Sequence, residues 1–111
     1  MKQYMEECRS LEEFDQIIQE PKVSVMVFSA AWCPDCVFLK TFIGKLVEKY
    51  QQYRFVYVDR DQFLSICQDY DVLGIPSFVA FKSGREIGRL VSKLRKSEAE
   101  VDAFLEGLEN E

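Results

Sequence analysis

Hydrophobic and polar positions along the chain form segments that predict helices and strands in turn. An apolar stripe with helical spacing follows Ser10 and stops before Pro21, and the Ser-x-x-Glu pattern at its start is a capping box. A second capping box at Ser97 opens a final helix with one apolar face. Between them, helical patterns run from about Pro34 to Tyr50 and from about Asp61 to Tyr70.

Short apolar runs between these helices predict strands. They are rich in β-branched and aromatic residues and cover Val23–Ser29, Arg54–Asp59, Ser77–Lys82 and Glu86–Val91. Ser83-Gly84 predicts a tight hairpin turn, and the strand–helix–strand order predicts a parallel pair with a right-handed crossover. We therefore expect one α/β domain over residues 1–111. Its mixed central sheet would have four strands, or five if Gln3–Met5 pairs at an edge, with helices on both faces.

Composition and charge narrow the possible functions. The chain is 48% apolar and 30% charged and has a net charge of −5, which argues against nucleic acid or an anionic membrane surface as a partner. No stretch approaches the ~20 apolar residues of a membrane span, and the polar N-terminus lacks the apolar centre of a signal peptide. We expect a cytoplasmic protein, where reducing conditions favour a catalytic over a structural pair of cysteines.

The candidate chemistry lies in the run Trp32-Cys33-Pro34-Asp35-Cys36, between a predicted strand and a predicted helix. Cys33 would lie at the helix N-terminus, where unpaired N–H groups and the helix dipole favour a thiolate. Pro34 fits the first turn because its missing N–H costs nothing there. One turn later, Cys36 is close enough to attack a mixed disulfide on Cys33 and release a reduced substrate.

A zinc site and two unrelated core cysteines are the alternative interpretations of this motif. A structural zinc site needs four ligands, whereas the chain has no histidine and only Cys8 and Cys67 besides the pair, neither of them in a second CxxC. We therefore expect no metal and no cofactor, because the dithiol is itself the redox centre. Cys8 and Cys67 are expected to be buried structural thiols.

These motifs together resemble the thioredoxin family over nearly the whole chain. The matching residues are the strand that leads into the CxxC motif, then Tyr57-Val58-Asp59, Gly74-Ile75-Pro76-Ser77-Phe78 and Phe81-Lys82-Ser83-Gly84. The Pro-Asp pair between the cysteines is similar to small thioredoxin-like proteins of Gram-positive bacteria. The resemblance implies a thioredoxin fold and a thiol–disulfide oxidoreductase.

The resemblance also implies roles for residues outside the pair. Sequence alone favours a trans bond before Pro76, but the family places a cis proline opposite its CxxC. Ile75 and Pro76 would then pair with an extended substrate, and Pro76 would keep metals from the sulfurs. Trp32 and Pro34 would complete the substrate-facing rim.

Two positions bear on the chemistry of the pair. A typical thioredoxin has a buried aspartate six residues before its first cysteine, where this chain has Val27. The sequence therefore does not identify the group that would deprotonate Cys36. Asp35, Lys40 and Asp59 are candidates by sequence proximity alone. The charge of Asp35 would modulate the thiol pKa, disfavour a neighbouring thiolate and make the disulfide less oxidising.

The sequence thus predicts a monomeric reductase of protein disulfides that takes part in electron transport and cell redox homeostasis. Its partners would be protein disulfide substrates and a reductase that donates electrons. The alternatives are a glutaredoxin-like reductase of low-molecular-weight thiol mixed disulfides and a non-catalytic thioredoxin-fold binding module. Such modules usually lose one or both cysteines, and this chain has kept both.

Overall fold

The computed structural model describes residues 1–110. After a 3-10 turn at Lys2–Tyr4, helices and strands follow in the order β1 Glu6–Glu7, α1 Leu11–Ile18, β2 Ser24–Ser29, α2 Pro34–Lys49, β3 Arg54–Asp59, α3 Leu64–Asp69, β4 Ser77–Lys82, β5 Arg85–Leu90 and α4 Glu98–Gly107. A second 3-10 turn at Leu108–Asn110 ends the described part.

The strands form one five-stranded sheet in the order β1-β3-β2-β4-β5. Strands β1, β3 and β2 are parallel, whereas β4 runs antiparallel to β2 and β5 antiparallel to β4. Ser83 and Gly84 both have positive φ, at 53° and 80°, as a tight turn between twisted strands requires. The expected mixed sheet and hairpin are confirmed.

Helices cover both faces of this sheet, as predicted. The face that carries Met26 and Phe28 packs against α1 and α3. The alternating positions Val25 and Val27 point to the other face and pack against α2 and α4. Strand β2 is buried on both faces along its whole length, which explains why its sequence is apolar rather than alternating.

The sequence placed two boundaries wrongly. The edge strand is Glu6–Glu7, not Gln3–Met5, and it is held beside β3 by an ion pair from Arg54 Nε to Glu6 Oε2 of 2.6 Å. Helix α3 begins at Leu64 rather than Asp61.

The later start of α3 has a local cause. The Asp59 carboxylate accepts hydrogen bonds from the N–H groups of Asp61 and Gln62, at 2.9 and 3.1 Å. These bonds fold residues 60–63 into a turn before the helix begins.

This topology places the cysteine motif at the carboxyl end of the central strand. Strand β2 is flanked by β3 on one side and β4 on the other, and Cys33 and Cys36 follow its carboxyl end directly. The loop before β4 arrives at the same end because β4 runs antiparallel to β2. A site at this end can therefore draw side chains from β2, β3 and the loop before β4.

Candidate active site

Cys33 and Cys36 occupy different positions relative to helix α2. Cys33 is the N-cap residue with extended backbone angles, and its carbonyl accepts from the N–H groups of Cys36 and Val37 at 3.1 and 3.0 Å. Pro34 occupies the first turn, as predicted, and is exposed. Cys33 is 7% exposed and Cys36 2%, and both are free thiols.

The loop before β4 lies on one side of the pair. The Ile75–Pro76 peptide bond is cis, as the resemblance led us to expect. The Cys33 thiol lies 3.9 Å from the Ile75 carbonyl oxygen and points its S–H toward it. Ile75 is half-buried, and Pro76 is buried.

Trp32 forms an exposed apolar surface beside Cys33. It is 61% exposed, so it is not a core residue. Its Nε1–H donates to Asp61 Oδ2 at 2.6 Å, and the Arg60 guanidinium lies over its ring at 5.3 Å from the centroid. Sequence reasoning missed both partners, because nothing in the sequence showed that the turn after β3 reaches the tryptophan.

Cys36 lies in an environment that disfavours its thiolate. Burial raises the pKa of Cys36 to about 11, and the neighbouring Cys33 thiol acts in the same direction. The Ser29 hydroxyl and the backbone of Ala30 oppose this shift, because both stabilise a negative sulfur. Cys36 therefore needs help from its surroundings to lose a proton near neutral pH.

Ser29, rather than Val27, is the β2 side chain that acts on Cys36. Val27 is fully buried and packs with α2 and α4, whereas Cys36 belongs to a smaller cluster with Ala30 and Cys33. Ser29 shares the face of Val27 but lies two residues further along β2, under the first turn of α2. The period of two could have identified Ser29 from sequence, had the strand been followed to its last residue.

The three candidate bases named from sequence differ in whether their side chains are already engaged in ion pairs or hydrogen bonds. Asp35 Oδ1 accepts from Arg95 Nε at 2.8 Å, so its charge is paired rather than directed at the thiols. Asp59 is engaged with the turn that precedes α3. Lys40 is exposed and, together with Cys36, lines the same surface pocket.

The segment 92–96 supports the loop that carries Ile75 and Pro76. A Cβ atom added to Gly74 would lie 2.2 Å from the Ser92 carbonyl oxygen, so this contact requires glycine. The Lys96 amine is buried and donates to the carbonyls of Ser92 and Leu94, both at 2.7 Å. Burial lowers the pKa of Lys96. The buried lysine thus stabilises the conformation of segment 92–96 through these two hydrogen bonds.

Two free thiols at the start of a helix, directly after a central strand and opposite a cis proline, define the class of thiol–disulfide oxidoreductases. Comparison with known proteins agrees with this class. The thioredoxin family model matches residues 6–106, and the chain therefore belongs to the thioredoxin family.

Individual relatives and structures extend this result. Mitochondrial thioredoxin-2 of Schizosaccharomyces pombe is 38% identical over 74% of this chain, which spans 62% of that relative's length. An H-type thioredoxin of Fagopyrum esculentum is 33% identical and is matched over 82% of this chain and 81% of its own length. The fold matches the crystal structure of thioredoxin from Trypanosoma brucei brucei with a TM-score of 0.86 at 23% identity, over 96% of this chain and 92% of that one.

Residues 1–110 contain no group of three or more His, Cys, Asp or Glu side chains placed to hold a metal ion. No helix in that range combines the length and apolar character needed to cross a membrane.

Proposed function

We propose that Cys33 attacks the disulfide of a protein substrate and that Cys36 resolves the resulting mixed disulfide. One observation carries this assignment: Cys33 is the N-cap of α2 beside the Ile75 carbonyl, whereas Cys36 lies inside the helix with its pKa raised to about 11. A thiol at the helix N-terminus meets the positive end of the dipole, which favours an attacking thiolate.

The cycle conserves atoms and electrons without a cofactor. The Cys33 thiolate forms a bond to one substrate sulfur, and the other substrate sulfur leaves with the electron pair and takes a proton. The Cys36 thiolate then attacks Cys33, forming the Cys33–Cys36 disulfide and releasing the second substrate sulfur as a thiol. A reductase partner would return two electrons and two protons to the pair.

The surroundings of Cys33 favour a protein segment as substrate. Trp32 is largely exposed, and Pro34 and Ile75 also reach the surface around the sulfur. Exposed apolar surface of this kind suits an extended peptide better than a small polar thiol. The Ile75 backbone and Pro76 would pair with that peptide, in keeping with the role expected of them from the resemblance.

We also propose that the protein acts as a monomer in the cytoplasm. A catalytic rather than structural use of the Cys33–Cys36 pair fits a reducing compartment. Because one relative is named as a mitochondrial protein, the compartment needs its own test. Fractionation of cells that express the tagged protein answers it, and recovery in an organelle fraction would overturn the cytoplasmic assignment.

Reduction of insulin disulfides by protein that is first reduced to its dithiol form tests the activity. We expect the wild-type protein and Cys67→Ser to reduce insulin. With Cys33→Ser, the rate of insulin reduction should fall to that measured in buffer without protein. Cys67 serves as the matched control because it is an equally buried thiol on α3. Activity only on a glutathione mixed disulfide would favour the glutaredoxin-like alternative. Folded protein with neither activity would indicate a binding module.

A further inference from the structure

A pocket on the β3 side of the cysteine pair has no part in the function proposed so far. It encloses about 430 Å³ and is lined by Met1, Lys2, Gln3, Ser29, Ala30, Ala31, Cys36, Val37, Lys40 and Tyr57. Because β3 and β4 flank β2 on opposite sides, the pocket and the Ile75–Pro76 loop lie on opposite sides of the pair. The pocket borders Cys36 and excludes Cys33.

Ser29 brings an unpaired polar group into this pocket. The residue is 1% exposed, and within the described part of the chain its hydroxyl makes no hydrogen bond of acceptable geometry. The hydroxyl is nevertheless near enough to favour the ionised forms of both Cys36 and Tyr57. A buried polar group without a partner costs free energy. A sulfur that becomes charged during the reaction would give the Ser29 hydroxyl a partner.

We propose that Ser29 is a positioning residue for the resolving step and that the pocket lets Cys36 pass its proton to solvent water. The inference rests on the proposed roles of Cys33 and Cys36. The Cys36 S–H gives its proton to a water molecule in the pocket, and the Ser29 hydroxyl donates to the thiolate that forms. That thiolate bonds to Cys33, and the bond from Cys33 to the substrate breaks with its electron pair on the substrate sulfur.

The charged groups around Cys36 support water as the acceptor. Helix α2 contributes Cys33, the cationic Lys40 and Asp35, which is paired with Arg95. No carboxylate lines the pocket among the residues that the structure describes.

The side chains of the other elements also offer no free base; the Met1 amine, which lines the pocket and whose pKa is lowered by burial and by the charges of Lys40 and Lys2, is the remaining basic group there. Strand β3 contributes Tyr57, whose pKa is raised by burial, so the phenol stays neutral. The N-terminal turn contributes Lys2, which is paired with Glu7 at 3.0 Å. The segment before α4 contributes the buried Lys96, held by two carbonyls. Lysine charges favour a thiolate without removing its proton.

The test compares Ser29→Ala with Ser24→Ala. Ser24 is the ideal control because it is the other serine of β2 that is fully buried with an unpaired hydroxyl, on the order of 16 Å along the strand. Both changes remove an unpaired buried hydroxyl, so we expect both variants to fold. Single-turnover reduction of insulin then separates formation of the mixed disulfide on Cys33 from its release, each measured from pH 6 to about pH 10.

Ser29→Ala should form the mixed disulfide at the wild-type rate but release it about tenfold more slowly at neutral pH, with the pH midpoint of release about one unit higher. Ser24→Ala should match wild type in both steps. Ser29→Thr keeps a hydroxyl and should retain the wild-type pH midpoint of release. If Ser29→Ala folds poorly, this variant still tests the role of the hydroxyl, and a shifted midpoint in it would contradict that role.

An unchanged rate and midpoint in Ser29→Ala would overturn the role of Ser29 while leaving the proposed function intact. An equal loss in Ser24→Ala would overturn it as well, since the effect would then be structural. Absence of any mixed disulfide on Cys33 in wild-type protein would instead overturn the proposed function, and the inference with it.

Discussion

The two sides of the cysteine pair offer a sulfur atom different surroundings. On the β4 side, Cys33 lies 3.9 Å from the Ile75 carbonyl, beside a tryptophan that is 61% exposed. On the β3 side, Cys36 borders a pocket with Ser29, and its pKa is raised to about 11. In our account the first side receives the substrate and the second side handles the proton, and changes on either side should affect different steps.

The largest effect is expected from a charge on the Cys36 side. Val27→Asp buries a carboxylate at a fully buried position and should lower the free energy of unfolding by about 3 kcal/mol. Val25→Asp, on the same face but two residues further from Cys36, should destabilise similarly. Denaturant melts measure this cost.

The kinetic consequence separates the two variants. Only the carboxylate at position 27 should speed release of the mixed disulfide, because it would supply a nearby base. If Val27→Asp releases substrate no faster than Val25→Asp, the missing aspartate is not a kinetic limitation.

A smaller effect is expected from the substrate side. Gly74→Ala should lower the free energy of unfolding by about 1 to 3 kcal/mol, because its Cβ would meet the Ser92 carbonyl oxygen at 2.2 Å. It should also raise KM for insulin and leave resolution unchanged.

Gly107→Ala is the control for this glycine. A Cβ there has no neighbour within 4 Å, and the substitution should be neutral or stabilising by up to about 1 kcal/mol. Wild-type stability in Gly74→Ala would contradict the close approach of the two loops.

The raised pKa of Cys36 predicts a pH dependence of stability in the reduced protein. Below the ordinary thiol pKa of 9.0 both folded and unfolded states keep the proton, so stability is complete. Between there and about 11 the unfolded state ionises first, and stability falls as pH rises. Compared with Cys36→Ala, wild type should lose roughly 1 to 2 kcal/mol more over this range. Equal losses in the two proteins would contradict the unfavourable environment of the Cys36 thiolate.

The smallest effect is expected from Asp35, between the cysteines. Its pairing with Arg95, on a side chain 53% exposed, should limit its influence on the thiols. Arg95→Gln should free the charge and make the disulfide less oxidising by about 20 mV or less, and Asp35→Asn in the same chain should reverse this. An equilibrium redox titration measures both, and a shift in the opposite direction would contradict the pairing.

The fold could be predicted largely from local patterns. The capping box at Ser97 forms with both hydrogen bonds, and Ser83-Gly84 turns as its residue types indicate. The edge strand could not be predicted, because Glu6 and Glu7 have no strand pattern and are held by pairing with β3 and by the distant Arg54.

From residue patterns alone, the site was predictable only where its residues are adjacent in sequence, and the family resemblance added the cis bond before Pro76. The positions of Cys33 and Pro34 at the start of α2 followed from a strand, a CxxC motif and a helical pattern in succession. The contacts Trp32–Asp61 and Asp35–Arg95 join residues 29 and 60 positions apart, and only the packing of the chain brings them together.

Trapping the mixed disulfide tests the central claim most directly. Cys36→Ser and Cys33→Ser proteins, each reduced, are mixed with insulin near neutral pH, and the adducts are mapped by mass spectrometry of unreduced peptides. Our account predicts a stable adduct on Cys33 in Cys36→Ser and little or none on Cys36 in Cys33→Ser. Preferential capture by Cys36 would contradict the account.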